Sequence, residues 1–309
     1  MPPPIVRRVL CTPLLFVLTL LLLVLFPLAL VGGRPRRLLS FALAWGTLEC
    51  RAVLECTWQW VLRRPRSDHH YDIIRRYVAG LYSSAQKRLG LEVVIEGSWD
   101  GPPGDRPLIV LSRHAGPGDA LLLVHHLLGD YRRRPRVVMK AQLQLDPCID
   151  IAANRLPNAF VTPGDGAARI ERLATGLGPR DALVIFPEGG NFTPDRRRRA
   201  IRRLTRQRRL DEASRAARMR HVLPPRAGGV LAALAAAPTA DVVFVAHVGL
   251  DHMISPGEVW RRIPLAHPVR AHWWRIRSED VPRGQDAQID WLYAQWQKAD
   301  TWIAAGHRP

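Results

Sequence analysis

Cysteine is scarce in this chain, and the positions of the few cysteines exclude two kinds of protein. The four cysteines are Cys11, Cys50, Cys56 and Cys148, and no two of them have the Cys-x-x-Cys spacing typical of structural zinc sites. Three lie in the apolar amino-terminal region, which argues against a scaffold of disulfide bonds. The remainder of the chain has one thiol, as is usual for a protein in a reducing cytoplasm.

Two catalytic arrangements are also missing from the sequence. Ser112 lies two residues before His114 but lacks the Gly-x-Ser-x-Gly surroundings of a nucleophilic serine. The adjacent pair His125 and His126 lies in a leucine-rich helical pattern, where packing explains the rings better than metal binding does. The sequence therefore predicts neither a serine nucleophile nor a metal site.

Acidic residues are outnumbered by basic ones, and the basic residues are almost all arginine. The chain has 45 basic and 27 acidic residues, a net charge of +18. The densest basic run occupies residues 196–209, where Ile201 and Leu204 give a helix only a narrow apolar stripe. Anionic lipid headgroups attract each nearby basic side chain by ~1 kcal/mol, so the run favours a membrane surface as its partner. A solvated segment without a partner is the alternative.

Nucleic acid is the third partner that such a basic run could indicate. The sequence contains no zinc-finger signature, no RNA-recognition signature and no aromatic residues interleaved with the run. We therefore expect no nucleic-acid partner.

One long apolar run is present, at the amino terminus. Residues 9–32 include no charged residue, and a helix of this length can cross the ~30 Å hydrocarbon layer of a bilayer. The run predicts a membrane anchor. A cleaved signal peptide is the alternative, although residues 28–33 make a poor cleavage site. Arginines flank the run on both sides: Arg7 and Arg8 before it, and Arg34, Arg36 and Arg37 after it.

A second apolar stretch, residues 38–62, is interrupted by charges and carries several tryptophans. The charged residues are Glu49, Arg51 and Glu55, and the tryptophans are Trp45, Trp58 and Trp60. This composition predicts a helix in the membrane interface, with a helix packed on the following domain as the alternative. Residues 1–66, ending at the basic turn of residues 63–66, are thus predicted to be the membrane anchor and interfacial helix, and residues 67–309 one further domain.

Apolar runs typical of buried strands alternate with helical patterns after residue 67. The strands are predicted at residues 92–96, 108–112, 136–139, 183–186 and 242–247. The helices are predicted at residues 71–89, 120–128, 227–237 and 289–305, and the last contains Trp291, Trp296 and Trp302 as core residues. This alternation predicts an α/β fold with a mostly parallel sheet flanked by helices, preceded by the amino-terminal membrane helices.

Two polar motifs follow predicted strands. His114 and Asp119 lie five positions apart in a glycine-containing turn, and an imidazole held by a carboxylate is a ready general base. Farther along, the strand pattern of residues 183–186 leads into Pro187, Glu188 and two glycines. Loops at the carboxyl ends of parallel strands are where open α/β sheets hold ligands, so Glu188 is placed for chemistry or substrate binding.

These motifs resemble those of the glycerolipid acyltransferases, which acylate lysophosphatidic acid and other lysophospholipids. The family signatures His-x-x-x-x-Asp and Phe-Pro-Glu-Gly match residues 114–119 and 186–189. Residues 139–147 are similar to the family's lysine-led segment, residues 221–229 to its proline-bearing fourth motif, and residues 289–300 to a helix that follows the catalytic core in the eukaryotic-type branch. The resemblance runs from residue 108 to residue 300, and four ordered motifs make a chance match improbable.

The resemblance implies a membrane-bound O-acyltransferase that moves a fatty acyl group from acyl-CoA or acyl-carrier protein to a hydroxyl of a lysophospholipid such as 1-acylglycerol-3-phosphate. A thioester is reactive enough to need no covalent enzyme intermediate and no cofactor beyond this co-substrate. His114 is the implied general base. Asp119 would fix its tautomer and stabilise the imidazolium, as the acid does in serine-hydrolase triads.

Further residues are implied to bind the substrates. Glu188 would accept a hydrogen bond from the acceptor hydroxyl. The implied substrate-binding residues are Glu188, Gly189, Arg113, Lys140, Pro225 and Arg226, with Pro224, Pro225 and Arg226 on the acyl-donor side. The partners are accordingly membrane lipids, the lipid acceptor and the thioester donor. A cytoplasmic donor and the excess of arginine after the anchor place the catalytic domain on the cytoplasmic side, and the preference for arginine indicates a bacterial cytoplasmic membrane.

The chain departs from the family pattern at phosphate-binding positions. Arg113 stands where the family usually has asparagine, and Asn191 stands where it has arginine. The second motif, residues 160–166, also lacks its arginine. Arg155, Arg169 or the arginines from residue 196 onward could substitute, because guanidinium groups suit phosphate oxygens. Two alternatives follow: an acyltransferase for a glycolipid or another acceptor without a simple phosphate, or a non-catalytic lipid-binding membrane protein.

Overall fold

The computed structural model describes residues 1–27, 32–62, 67–97, 106–116, 118–162, 164–251, 253 and 255–306. The basic turn expected at residues 63–66 and most of the possible cleavage site at residues 28–33 lie outside the described residues. The chain divides into two compact units. The first comprises Met1–Glu92, Leu121–Thr162 and Ser255–Pro268, and the second comprises Val93–Ala120, Pro163–Ile254 and Val269–Pro309.

Helices predominate in the first unit. They are α1 (Pro4–Leu25), α2 (Gly33–Val61), α3 (Ser67–Leu89), most of α4 (Asp119–Gly129), α5 (Pro147–Ala152) and α10 (Pro256–Arg262). Strands β3 (Arg134–Lys140) and β4 (Ala159–Val161) pair in parallel within this unit. The core lies where α2, α3 and α5 meet, and Ala52, Tyr77 and Ile151 are buried there.

The first helix, α1, is the long apolar segment expected from the sequence. Among the described residues it is the single helix both long and apolar enough to cross a membrane. Arg7 is inside the helix rather than before it, and it is buried in an ion pair with Asp150 of α5 at 2.6 Å. Arg8 binds the other carboxylate oxygen of Asp150 at 2.9 Å. These two arginines therefore fix the start of α1 to α5.

One side of α2 packs within the first unit and the other side is exposed. Glu49 is buried and accepts hydrogen bonds from Trp45 Nε1 at 2.5 Å and Tyr77 Oη at 3.1 Å. Trp58 and Trp60, in contrast, are 61% and 69% exposed. Part of α2 is thus packed within the first unit, while Trp58 and Trp60 are accessible. Their position in a membrane interface stays a prediction.

The second unit is an α/β layer structure. Its strands are β1 (Val93–Glu96), β2 (Leu108–Ser112), β5 (Asp181–Ile185), β6 (Asp241–Val248) and β7 (Val269–Ile276), in the order β1-β7-β6-β2-β5. Its helices are α6 (Gly166–Ala174), α7 (Pro194–Arg206), α8 (Leu210–Arg218), α9 (Ala227–Ala236) and α11 (Gln285–Gly306). Strand β2 is central: it pairs in parallel with β5 on one side and with β6 on the other.

The strand pairing follows from burial of the apolar runs. Leu108, Ile109, Val110 and Leu111 of β2 are completely buried, as expected for a parallel strand covered on both faces. In register, Leu108 faces Ala182 of β5 and Asp241 of β6. The β6–β7 pair is antiparallel, while the β1–β7 pair is parallel. The predicted α/β fold with a mostly parallel sheet is confirmed.

Strands β4 and β7 were not predicted from the sequence. Strand β7 alternates buried Val269, Ala271 and Trp273 with more exposed arginine and histidine. The five predicted strands and four predicted helices are present, with boundaries shifted by a few residues. Of the predicted core tryptophans, Trp296 is buried and donates Nε1 to the Leu223 carbonyl at 3.0 Å, while Trp291 and Trp302 are half-buried.

Candidate functional site

His114 lies in the loop that follows the carboxyl end of β2. The pairing with β6 continues one residue past the strand, because the backbone N–H of Arg113 donates to the Val245 carbonyl at 3.0 Å. His114 follows on the loop, with its side chain 23% exposed. Its Nδ1 lies 2.8 Å from Oδ2 of Asp119. The predicted His–Asp pair is thus present within the second unit.

Asp119 is the first residue of α4, and hydrogen bonds to both of its carboxylate oxygens fix its side chain. Its Oδ2 also accepts hydrogen bonds from the backbone N–H of Ala115 at 2.9 Å and of Gly116 at 3.3 Å, and its Oδ1 accepts one from Ala120 at 2.7 Å. Burial opposes ionisation, but the hydrogen bond with His114 and the neighbouring His247 and backbone N–H groups hold the pKa of Asp119 below its usual value. Asp119 is therefore a carboxylate, and it requires the Nδ1–H tautomer of His114.

The turn between the two residues depends on glycine. A Cβ atom at Gly116 would lie 2.3 Å from the Leu250 carbonyl oxygen and 2.8 Å from Leu250 Cβ. Gly118 has a φ of +83°, in the left-handed region that glycine adopts without strain. The tight turn expected from the sequence is present, and it forms because two of its residues lack a side chain.

A second imidazole, that of His247, lies beside the pair and was not predicted as a site residue. It is the second-to-last residue of β6 and is buried. Its Nε2 lies 3.1 Å from the Arg113 carbonyl oxygen and 3.8 Å from Oδ2 of Asp119. Burial lowers the pKa of His247, although the charge of Asp119 opposes this. The ring is neutral, with Nε2 as the donor to Arg113. A polar residue in an otherwise apolar central strand is the signal that could have identified it.

Arg113 is bonded to protein groups of the second unit. Its side chain is 1% exposed. One terminal nitrogen, Nη1, donates to the His247 carbonyl at 2.6 Å, and Nη2 donates to the His221 carbonyl at 2.9 Å and to Asp251 Oδ1 at 2.5 Å. The guanidinium therefore links β2 to the segments containing residues 221 and 247–251. Its predicted contact with substrate stays a prediction.

Glu188 follows β5 and is almost completely buried, at 2% exposure. Neither carboxyl oxygen makes a hydrogen bond of normal geometry with a described residue. Burial raises the pKa of Glu188 well above its usual value, and the positive charge of Arg113 offsets only part of this rise. Burial therefore favours the neutral carboxyl form of Glu188. A neutral carboxyl can donate a hydrogen bond as well as accept one, which extends the role expected from the sequence.

Backbone hydrogen bonds connect the loop around Glu188 to the segments that contain the other predicted residues of the second unit. The Phe192 N–H donates to the His114 carbonyl at 2.8 Å, and the Arg226 N–H donates to the Pro187 carbonyl at 2.9 Å. Gly189 has a φ of +66° and contacts the Arg226 side chain. Pro225 is buried. This part of the second unit brings together His114, Asp119, Glu188, Gly189, Arg113, Pro225 and Arg226.

The remaining predicted residue, Lys140, belongs to the first unit, where it ends β3 and is exposed. The predicted substrate contact of Lys140 stays a prediction.

Metal ligands are not clustered in the described part of the chain: no group of three or more histidine, cysteine or acidic side chains is arranged to hold an ion there. All four cysteines are free. His125 stacks on Tyr82 with ring centroids 4.3 Å apart, and His126 Nδ1 lies 2.6 Å from Asp130 Oδ2. Packing and local pairing therefore account for this histidine pair, as expected from the sequence.

Comparisons with known proteins agree with this architecture. A family model described as Acyltransferase matches residues 90–248. The structure is similar to the crystal structure of the 1-acyl-sn-glycerophosphate (LPA) acyltransferase PlsC from Thermotoga maritima, with a TM-score of 0.53 and 16% sequence identity over 82% of this chain and 95% of that chain. At this identity the structural similarity establishes the fold. A comparison with curated protein sequences finds no match.

Proposed function

The chain belongs to the acyltransferase family, and on this premise we propose that it transfers a fatty acyl group from a thioester to a hydroxyl of a lysophospholipid such as 1-acylglycerol-3-phosphate. The observation that carries the proposal is the 2.8 Å contact between His114 Nδ1 and Asp119 Oδ2 at the carboxyl end of the central strand. The named activity of the PlsC structure supports the same class of acceptor.

His114 would act as the general base. Its Nδ1 carries the proton that Asp119 accepts, so Nε2 holds a lone pair. That nitrogen has no hydrogen-bond partner among the described residues, and the side chain is partly exposed. Nε2 takes the proton of the acceptor hydroxyl while the hydroxyl oxygen bonds to the thioester carbonyl carbon. Asp119, ionised and fixed by three further N–H groups, stabilises the imidazolium that forms.

The second half of the reaction returns the proton. When the tetrahedral intermediate collapses, the carbon–sulfur bond breaks and the thiolate leaves, and the imidazolium Nε2–H restores its proton. Glu188, a buried neutral acid in the same unit, would bind the glycerol or headgroup hydroxyl of the acceptor. General acid–base catalysis of this kind contributes about 10²- to 10⁴-fold to the rate.

Membrane attachment belongs to the same proposal. The apolar side of α1 is uncovered, with Val9, Leu14, Val17, Leu20 and Val24 each more than half exposed. Burying such side chains in lipid is favourable by roughly 25 cal/mol per Å² of apolar surface. We propose that α1 holds the chain at a membrane, with the second unit on the cytoplasmic side where acyl-CoA and acyl-carrier protein are found. A lysophospholipid acceptor and its two-chain product then stay in the lipid phase.

The experiment measures acyl transfer in purified membranes that contain the wild-type chain or His114→Ala. Radiolabelled acyl-CoA and acyl-carrier protein are tested separately as donors, against lysophosphatidate, neutral lysolipids and glycolipids as acceptors. We expect product with the wild type and a loss of about 10³-fold or more in His114→Ala. His267→Ala, which changes an exposed histidine, is the matched control and keeps its activity. A wild type that acylates none of these acceptors would refute the proposal.

A further inference from the structure

Two arginines beside the Glu188 loop have no counterion within the described part of the chain. The side chains of Arg226 and Arg203 make no hydrogen bond and no ion pair with any described residue, and both are exposed. Three other candidates for phosphate binding are already engaged: Arg155 donates to the Ile151 carbonyl, Arg169 pairs with Asp165, and Arg197 donates to the Met219 carbonyl. Arg226 and Arg203 differ from these three arginines.

Arg226 packs against the loop that contains Glu188. Its backbone N–H donates to the Pro187 carbonyl at 2.9 Å. A Cβ atom added at Gly189 would lie 2.7 Å from Arg226 Cζ and 2.9 Å from both Nε and Nη1. The guanidinium thus occupies the space that any other side chain at position 189 would take. Arg226 contacts the residues on both sides of Glu188, which places its charge beside the site.

Arg203 adds a second positive charge. It lies on α7, which begins at Pro194 shortly after the Glu188 loop. Partial desolvation of the Arg226 guanidinium against Gly189, followed by the charge of Arg203, lowers the pKa of Arg226, although the side chain is exposed elsewhere. Two guanidinium groups close enough to repel each other are relieved by an anion that binds both. The first turn of α9, directly after Arg226, contains no acidic residue and no side-chain cap, so its N–H groups add to the positive potential.

We propose that Arg226 and Arg203 form a phosphate-binding site for the substrates, beside Glu188 and Gly189. The shared ligand chemistry is a phosphate ester, which either the headgroup of the acceptor lipid or the nucleotide part of an acyl-CoA donor can present. The site rests on the proposed acyl-transfer function and specifies which substrate groups that function requires.

The experiment compares Arg226→Gln and Arg203→Gln with the wild type. The control is Arg198→Gln, which removes the same charge from α7 but at an arginine that pairs with Asp195. KM and kcat are measured for lysophosphatidate with acyl-CoA, for monoacylglycerol with acyl-CoA, and for lysophosphatidate with an acyl N-acetylcysteamine thioester. Monoacylglycerol lacks the acceptor phosphate, and the short thioester lacks the donor phosphates. Thermal unfolding verifies that each variant is folded.

We expect KM for the phosphate-bearing substrate to rise about ten- to a hundred-fold in Arg226→Gln, since a hydrogen bond to a charged group is lost, and less in Arg203→Gln. The KM of the matching substrate without phosphate stays unchanged. A rise confined to lysophosphatidate assigns the site to the acceptor, and a rise confined to acyl-CoA assigns it to the donor. Arg203 is exposed on its helix, so its variant tests the site even where Arg226→Gln folds poorly.

The outcomes that overturn the inference differ from those that overturn the function. An active enzyme whose KM values in both variants match those of Arg198→Gln has no phosphate site at these arginines. A rise for the phosphate-free substrates that equals the rise for the phosphate-bearing ones also excludes it. A wild type without transfer to any acceptor would refute the proposed function itself.

Discussion

The Nε2 atom of His247 lies 3.8 Å from the Oδ2 atom of Asp119, so one carboxylate faces two imidazole rings. The same oxygen binds His114 Nδ1 at 2.8 Å. His247 is neutral because it is buried, and it donates Nε2–H to the Arg113 carbonyl. His247 therefore brings a dipole to Asp119 without competing for the proton that His114 must carry. We expect it to act as a positioning residue in the proposed reaction.

A change at His247 is expected to alter the pH dependence of the reaction. In His247→Phe, Asp119 loses a neighbour that favours its charged form, so its pKa rises and the acid limb of the kcat/KM profile moves to higher pH. We expect kcat/KM near neutral pH to fall about ten-fold, as for the loss of the hydrogen bond that His247 donates to the Arg113 carbonyl. His247→Gln, which keeps an N–H donor, recovers most of the activity. An unchanged pH profile with only a lower melting temperature would show that the ring merely fills space.

Gly116 is expected to tolerate no side chain. In Gly116→Ala the new methyl group meets the Leu250 carbonyl oxygen at 2.3 Å, and the turn must shift. Because the Ala115 and Gly116 N–H groups hold Asp119, activity falls together with stability, by about 1–3 kcal/mol of unfolding free energy. Gly166→Ala, where a Cβ atom meets open space, is the matched control. Urea unfolding and kcat/KM of both variants check this, and equal stability of the two would contradict the steric argument.

The buried carboxyl group of Glu188 is expected to lower the stability of the folded protein at pH values where the unfolded chain ionises it. Burial raises the pKa of Glu188 in the folded state, so the unfolded chain ionises first as pH rises. The folded state then loses stability from the unfolded pKa, about 4.3, up to the raised folded pKa. Glu188→Gln removes this loss, and its stability relative to the wild type should increase as the pH rises from the unfolded pKa toward the raised folded pKa.

Kinetic measurements on the same variant test the functional role of Glu188 separately from its effect on stability. Glu188→Gln cannot offer an acid to the acceptor hydroxyl, and we expect a loss of about 10- to 100-fold in kcat/KM. Urea unfolding at several pH values and steady-state kinetics measure the two effects. A variant that is less stable than the wild type at pH 8 would show that Glu188 is ionised and satisfied in the folded protein.

The ion pair that fixes α1 is expected to be strongly stabilising. The side chains of Arg7 and Asp150 are 6% and 2% exposed, and Arg8 binds the second oxygen of Asp150. Asp150→Asn leaves a buried arginine without its counterion, which costs about 3–5 kcal/mol. Asp68→Asn removes the partner of Arg134 from an exposed pair and costs about 0–1 kcal/mol. Urea unfolding in detergent micelles checks the difference, and equal effects would show that the buried pair is replaceable.

Much of the fold could be predicted because most of its strands are short apolar runs that are visible in the local sequence. Strand β2 is buried at every position, and the sequence gives both its ends. Strand β7 was missed because Arg270 and His272 alternate with its buried residues, so the segment has no continuous apolar run. Its antiparallel pairing with β6 depends on a tertiary arrangement that local patterns do not contain.

The site was predictable where its residues are close in sequence. His114 and Asp119 share one turn, and Glu188 directly follows a recognisable strand. His247 reaches Arg113 across 134 positions, so no local spacing connects them. The contact of Arg226 with the loop that contains Gly189 likewise depends on tertiary structure. The sequence predicted a substrate-binding role for Arg226, but it did not show which residues Arg226 contacts.

The bonds of Arg113 have a consequence for the order in which the protein becomes active. Its guanidinium joins groups 108, 134 and 138 positions away, so the loop after β2 is completed by segments that leave the ribosome much later. Contacts of such long sequence separation form slowly. A nascent chain that already contains the His114–Asp119 turn thus lacks the carbonyl groups and the aspartate that Arg113 requires. The hydrogen bonds of Arg113 are therefore completed late in synthesis, after residue 251 has emerged.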